Sequence, residues 1–171
     1  MTKKITSIVL AAGKGTRMNS SLPKPLHTVA GKPMLSHIIE NINAASISDI
    51  IVVINNDSDD LKNYLIKNHP DVRTSLQENQ NGTGDAVKSV FNNYDLSDSD
   101  GVVVVFGDTP LLKPETIQKL SESSVKSDLT IMVFETDNPK GYGRIILKDN
   151  KLHSIVEEIN ATEENKNIKL C

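Results

Sequence analysis

The sequence is poor in residues on which several classes of protein depend. Its 171 residues include no tryptophan, a single cysteine and only 4% aromatic residues. One cysteine excludes a framework of internal disulfides and indicates a reducing compartment. The few aromatic side chains leave little with which to stack nucleic acid bases. The sequence contains 19 Lys and Arg residues and 22 Asp and Glu residues, which give a net charge of −3. This charge argues against a surface that binds duplex nucleic acid.

Long apolar runs are also missing. No stretch approaches the ~20 apolar residues that a membrane span requires. Near the start of the sequence, Lys3 and Lys4 precede an apolar run over residues 5–12, as in a secretory signal. That run ends at Gly13 without a small-residue cleavage site, which favours a buried strand instead. We therefore expect a cytoplasmic protein without a membrane partner.

Short β-branched runs alternate with patterns of helical period. Strands are predicted over residues 5–10, 49–54, 71–76, 101–106 and 129–134, and a hairpin over 144–147 and 152–156. Helices are predicted to begin at Pro33, near Ser58, at Gly84 and at Pro114. Strands that alternate with helices and end in a hairpin indicate an α/β protein, with a mostly parallel sheet and an antiparallel addition.

The segment after the first strand carries the densest group of chemically useful residues. Residues 10–18 read LAAGKGTRM, and LPKPL follows at residues 22–26. The glycines let the backbone approach a ligand and turn its N–H groups toward anions, while Arg17 and Lys24 suit phosphate oxygens. A dinucleotide fingerprint would need glycine at Met18, and a P-loop would need it at Ile8. The alternative is a solvated turn with incidental cations.

Two further segments indicate a ligand site. Asp108 lies just past a buried strand, where open α/β sheets place ligands, and a carboxylate there suits Mg²⁺ held together with substrate phosphates. The alternative for Asp108 is a turn residue or a helix cap. Residues 76–84 read LQENQNGTG, and their amide groups suit the edge of a nucleotide base. The alternative there is a polar loop that precedes a helix.

Together these motifs resemble one family. LAAGKGTRM, SLPKPLHTVAGKPM, LQENQNGTGDA, FGDTPL, GYGRI and IVEE resemble the sugar-nucleotide pyrophosphorylases. The closest resemblance is to the uridylyltransferase half of the bifunctional bacterial enzymes that make UDP-N-acetylglucosamine, and it runs from Ile5 to about Cys171. It implies a Rossmann-like, GT-A-like three-layer fold. It also implies transfer of UMP from UTP to N-acetylglucosamine 1-phosphate with Mg²⁺, a step toward cell-wall precursors.

The resemblance also implies roles for individual residues. Arg17, Lys24 and Asp108 would be catalytic, and Asp108 would also be the Mg²⁺ ligand. Gln77 would read the uracil edge, and Gly143 and Glu157 would contact the sugar. The full set of residues implied to bind substrate is Leu10, Ala11, Ala12, Gly13, Gln77, Gly82, Thr83, Phe106, Gly107, Gly143 and Glu157.

The chain departs from the family pattern near its end. Family members usually carry lysine and aspartate where this chain has Ile159 and Asn160. Their pattern continues past the position of Cys171 to asparagines that contact the sugar and the metal, and then to an acetyltransferase β-helix. We therefore expect residues 1–171 to form a nucleotidyltransferase domain incomplete at its C-terminus, with impaired activity and self-association through its C-terminal edge. The alternatives are a UTP-binding fragment without turnover, or an enzyme for another sugar phosphate or a molybdopterin-type cofactor.

Overall fold

The computed structural model describes residues 3–13, 15, 18–149 and 151–171. They form two compact units, which meet along the chain between Thr130 and Ile131. Strands of the first unit are β1 (Ile5–Leu10), β2 (Thr28–Val29), β3 (Lys32–Pro33), β4 (Asp49–Asn55), β5 (Arg73–Gln77) and β6 (Gly101–Phe106). Its helices are α1 (Met34–Ala44), α2 (Asp59–Asn68), α3 (Thr83–Asn93) and α4 (Pro114–Ser124).

Four of these strands form one parallel sheet in the order β5-β4-β1-β6. The central strands β1 and β4 are buried on both faces, which is why they appear in the sequence as β-branched runs, whereas the edge strand β6 leaves Val104 and Phe106 exposed. On one face, the core contains buried residues of α1, α2 and α4; on the other it contains Ala86 and Val90 of α3. The predicted three-layer α/β fold is thereby confirmed. The short strands β2 and β3 pair as a separate hairpin.

The second unit is built around the predicted hairpin. Strands β7 (Arg144–Lys148) and β8 (Lys151–Val156) pair antiparallel as a two-stranded sheet of their own. The short helix α5 (Glu163–Lys166) follows, and the Thr162 side chain accepts a hydrogen bond from the Asn165 N–H at its start. Leu170 then pairs with Glu135, and its carbonyl accepts a hydrogen bond from the Ile145 N–H at 3.0 Å.

One predicted strand is wrong. Residues 129–134 form no strand, and Leu129, Met132 and Phe134 are 69%, 57% and 48% exposed. Their β propensity is high, but a strand also requires a partner along its length. Pairing begins only at the end of the run, where Phe134 exchanges two backbone hydrogen bonds with Cys171 and Glu135 forms a bridge with Leu170. The helix boundaries also differ, since Pro33 belongs to β3 and precedes α1. Within the described ranges, every helix is too short or too polar to cross a membrane.

A partly buried polar cluster joins α1 to the end of α2. The Ser36 hydroxyl lies 2.6 Å from the Tyr64 hydroxyl and 2.8 Å from His69 Nε2. Burial lowers the pKa of His69 below its ordinary value of 6.5; Glu40 partly opposes this shift and Lys32 adds to it. The fold therefore favours the neutral imidazole.

We expect the fold to lose stability as the pH falls from about 7.5 to about 5.5, because the unfolded chain then binds the His69 proton more readily than the folded chain. The contribution of neutral His69 to the free energy of unfolding is fully present above its unfolded pKa of 6.5. It is lost as the pH falls toward the lower pKa of the folded state. Urea unfolding followed by circular dichroism at both pH values measures the loss. It should be smaller in His69→Gln, while His153→Gln, which changes an exposed residue of β8, should behave as wild type. Equal losses in wild type and His69→Gln would contradict this account.

Candidate functional site

A cavity of about 570 Å³ opens where β1, β5 and β6 end. Parallel strands bring their carboxyl ends to one edge of the sheet, which is where open α/β sheets bind ligands. The lining residues come from the end of β1 and the loop after it, from the end of β5 through the first turns of α3, and from the end of β6: Leu10, Ala11, Ala12, Gly13, Gly15, Met18, Lys24, Pro25, Gln77, Gln80, Gly82, Thr83, Ala86, Phe106 and Asp108.

Neighbouring strands hold the backbone that follows β1. The Ala11 N–H donates to the Val53 carbonyl at 3.0 Å, and the Gly107 N–H donates to the Leu10 carbonyl at 2.9 Å. The Asn55 side-chain amide donates to the Ala12 carbonyl at 2.7 Å. The first residues of this loop are therefore fixed from both sides of β1, before any ligand arrives.

A cation and a carboxylate face each other in the cavity. Lys24 Nζ lies 2.5 Å from Asp108 Oδ2, and about a third of each side chain is exposed. Pro25 and Leu26 are buried directly after Lys24 and anchor its backbone. The left-handed Gly15, with a φ of +58°, packs so closely that a Cβ there would lie 2.9 Å from the Cβ of Lys24. The loop glycine and the anchored turn thus position the ammonium group.

The carboxylates near the cavity decide which kind of metal site is possible. Asp108 is the only carboxylate among the described lining residues. Across the part of the chain that the structure describes, no group of three or more His, Cys, Asp or Glu side chains is placed to hold a metal. A single carboxylate fits Mg²⁺, which keeps several waters and is completed by substrate phosphates, better than a metal that needs an all-protein cage.

An amide side chain is fixed at the other end of the cavity. Gln77 is only 4% exposed. Its Nε2 donates to the Gly82 carbonyl at 3.1 Å and to Asp85 Oδ2 at 2.8 Å. Gln80 lies nearby and donates to the Ala12 carbonyl at 3.4 Å. Both amide nitrogens therefore face protein acceptors.

The structure brings most of the predicted site residues together. Those that line the cavity are Leu10, Ala11, Ala12, Gly13, Lys24, Gln77, Gly82, Thr83, Phe106 and Asp108. Gly107 is not among the lining residues, but its N–H donates a hydrogen bond to the carbonyl of the lining residue Leu10. Arg17 lies outside the described residues. Gly143 and Glu157 are neighbours in the second unit, since a Cβ on Gly143 would lie 3.7 Å from both carboxylate oxygens of Glu157.

Sequence reasoning did not single out Gln80 or Asp85. Gln80 lies within the amide-rich segment, so its composition gave a usable signal. Asp85 gave none, because an acidic residue in the first turn of a helix is ordinary. Its role becomes visible only through its contact with Gln77.

Comparison with known proteins gives one family match and several relatives. The family model described as MobA-like NTP transferase domain matches residues 7–168. Bifunctional protein GlmU from Brucella anthropi is 43% identical over 166 residues, which are 96% of this chain and 36% of that protein. The chain thus spans about a third of the length of the curated relatives that it matches.

Solved structures share the fold. HddC from Yersinia pseudotuberculosis, complexed with GMP-PN, matches with a TM-score of 0.70 and 28% identity over 89% of this chain and 68% of that one. Rv0371c from Mycobacterium tuberculosis, in complex with manganese, matches with a TM-score of 0.59 and 18% identity over 73% and 61%. Together with the family match, these findings confirm the resemblance that the motifs predicted.

The contact between Gly15 and Lys24 predicts a specific effect on anion binding. Gly15→Ala should displace Lys24 and weaken the binding of inorganic tripolyphosphate, measured by calorimetry, by about tenfold, the value of one charge-assisted hydrogen bond. Gly31→Ala is the matched control, because Gly31 also has a positive φ, of +80°, but a Cβ there meets nothing within 4 Å. An unchanged affinity in Gly15→Ala, or an equal loss in both variants, would show that Gly15 does not act through Lys24.

Proposed function

Because the chain belongs to the family of MobA-like NTP transferase domains, we propose that it transfers UMP from UTP to N-acetylglucosamine 1-phosphate. The products are UDP-N-acetylglucosamine and pyrophosphate. The observation that carries the proposal is a single cavity with a fixed amide at one end and a lysine–carboxylate pair in the same enclosure. The 43% identity to bifunctional protein GlmU supports this choice of nucleotide and sugar phosphate.

The amide end of the cavity suits a pyrimidine that carries an N–H. Both hydrogens of Gln77 Nε2 are directed to protein acceptors, so Oε1 is the atom that can accept from a base. Uracil offers such a donor at N3. Gly82, with a φ of +100°, turns the chain into α3 without a side chain, so the base can approach the backbone closely.

The charged end suits the phosphates. The phosphate of the sugar substrate is already anionic, so its attack on the α-phosphorus of UTP needs no general base. Catalysis then depends on alignment and on neutralisation of charge. Lys24 would bind a phosphate oxygen, and Arg17 would stabilise the departing pyrophosphate.

We propose that substrate binding separates the Lys24–Asp108 pair. Lys24 would exchange the carboxylate for a phosphate oxygen, and Asp108 would exchange the ammonium group for Mg²⁺. Bound Mg²⁺ supplies further neutralisation of the triphosphate charge. The Rv0371c structure of the same fold was solved with manganese, and the choice of Mg²⁺ here is our proposal. Each charge keeps a partner of opposite sign throughout the exchange.

The sugar contacts are proposed for the second unit. Gly143 and Glu157 lie side by side there. The adjacent Arg144 is almost fully buried and donates to the Glu158 carboxylate at 2.6 Å and to the Tyr142 carbonyl. This ion pair, of which only Arg144 is fully buried, holds the GYGR segment in place, which would position Gly143 and Glu157 for a sugar.

The proposal is restricted to uridylyl transfer, since the chain spans 36% of its GlmU relative. Residues 1–171 would serve as the nucleotidyltransferase part. A cytoplasmic location remains a prediction, as does self-association through the C-terminal edge. Sedimentation velocity over a range of chain concentrations tests the latter, and a single monomeric species throughout would contradict it.

We expect the purified chain to form UDP-N-acetylglucosamine slowly, below the ordinary enzymatic range of ~1–1,000 s⁻¹. Asp108→Asn should lower kcat/KM about a hundredfold, because it removes an electrostatic contribution of about 3 kcal/mol. Pyrophosphate release with UTP, Mg²⁺ and N-acetylglucosamine 1-phosphate measures the turnover of the wild-type chain and the kcat/KM of the variant. Asp98→Asn is the control, because Asp98 is an exposed aspartate on the surface.

Three other outcomes would redirect the proposal. Release only with a different sugar 1-phosphate would change the substrate. Release only with a molybdopterin-type acceptor would replace the sugar phosphate by a cofactor as the acceptor. UTP binding by calorimetry without release in any mixture would indicate a binding fragment.

A further inference from the structure

Asp85 is a polar residue that the proposed transfer does not use. It lies in the first turn of α3, and its Oδ2 accepts a hydrogen bond from Gln77 Nε2 at 2.8 Å. Gln77 is the last residue of β5, is 4% exposed and lines the cavity. Asp85 is therefore linked to the cavity through the side chain of Gln77.

The contacts of Gln77 fix the orientation of its amide. The second acceptor of Nε2, the Gly82 carbonyl, also accepts the Ala86 N–H at 3.2 Å and is thereby held by α3 itself. Carboxylate and carbonyl oxygens accept hydrogen bonds and cannot donate them. A half-turn of the Gln77 amide would place Oε1 against both oxygens and lose two hydrogen bonds. One orientation is thus strongly favoured.

This orientation determines what the cavity offers to a base. Gln77 presents an acceptor, Oε1, and withholds its donors. Uracil carries an N–H at the centre of its pairing edge, whereas cytosine carries an unprotonated nitrogen there. An oriented acceptor pairs with the first base and opposes the second.

We propose that Asp85 is a positioning residue that sets the preference for UTP over CTP by fixing the amide of Gln77. The inference rests on the proposed function, because it takes a uridine nucleotide as the ligand. Asp85→Asn removes the charge, and its own amide can rotate to donate a hydrogen bond. With a donor at this position, only the Gly82 carbonyl still opposes the reversed orientation of Gln77, which would offer its own N–H groups to cytosine.

A purely structural role for Asp85 must be separated from this one. An acidic side chain in the first turn also stabilises a helix through the helix dipole. Asp60 occupies the first turn of α2, so Asp60→Asn is a matched control for that effect. A structural role would weaken the binding of both nucleotides or lower stability, and would leave the ratio of their affinities unchanged.

The test is calorimetric titration of the full chain with UTP and with CTP, without sugar phosphate. We expect wild type and Asp60→Asn to prefer UTP, and the preference to fall roughly tenfold in Asp85→Asn, as for the loss of one charge-assisted hydrogen bond. If that variant does not fold, as judged by circular dichroism, Asp85→Ser should show the same fall.

Three results would overturn the inference: an unchanged ratio in the folded variant, an equal loss of both affinities, or no preference for UTP in wild type. Because these titrations involve no chemical step, they are independent of pyrophosphate release. A chain that releases no pyrophosphate but shows the expected ratios would overturn the proposed transfer and support the role of Asp85.

Discussion

The parallel pairing of β1 with β4 on one side and with β6 on the other determines the positions of the cavity residues. Leu10 is in register with Val53 and with Phe106. The hydrogen bonds of Ala11 to Val53 and of Gly107 to Leu10 continue both ladders one residue past the strand. A slip of one residue would turn the buried side chains of β1 to the opposite faces of the sheet. The packing on both faces and the positions of the cavity residues would therefore change together.

A polar network at the opposite ends of the strands helps to prevent such a slip. Thr6 donates to Asp49 Oδ2 at 2.7 Å, which joins the starts of β1 and β4. Arg73, at the start of β5, donates to Asp49 Oδ1 at 2.5 Å and lies 4.6 Å from the ring centre of Tyr94. Any other register would leave partly buried polar groups without these partners, which is costly. The amino ends of three strands thus fix the positions of residues at their carboxyl ends.

The sequence was informative where one physical rule acted alone. The run over residues 101–106 predicted β6 with its observed bounds, because β-branched and aromatic residues favour a strand where a partner is present, and β1 pairs with it along its whole length. Most of the cavity was predictable for a similar reason, since strand ends gather at one edge. The strand predicted over 129–134 failed because local propensity does not supply a pairing partner. The contact of Asp85 with Gln77 was not predictable, because it depends on how the loop between β5 and α3 turns.

The two ends of the cavity differ in their physical character. At the base end, Gln77 is buried and bonded to two acceptors, so little conformational freedom remains to be lost when a ligand binds. At the phosphate end, Lys24 and Asp108 are about one-third exposed, and water lowers the cost of separating them. A rigid acceptor suits discrimination between bases, since a mismatched base cannot induce it to turn. An exchangeable ion pair suits phosphate transfer, since its two charges are available to the substrate and neither is left unpaired before the substrate arrives.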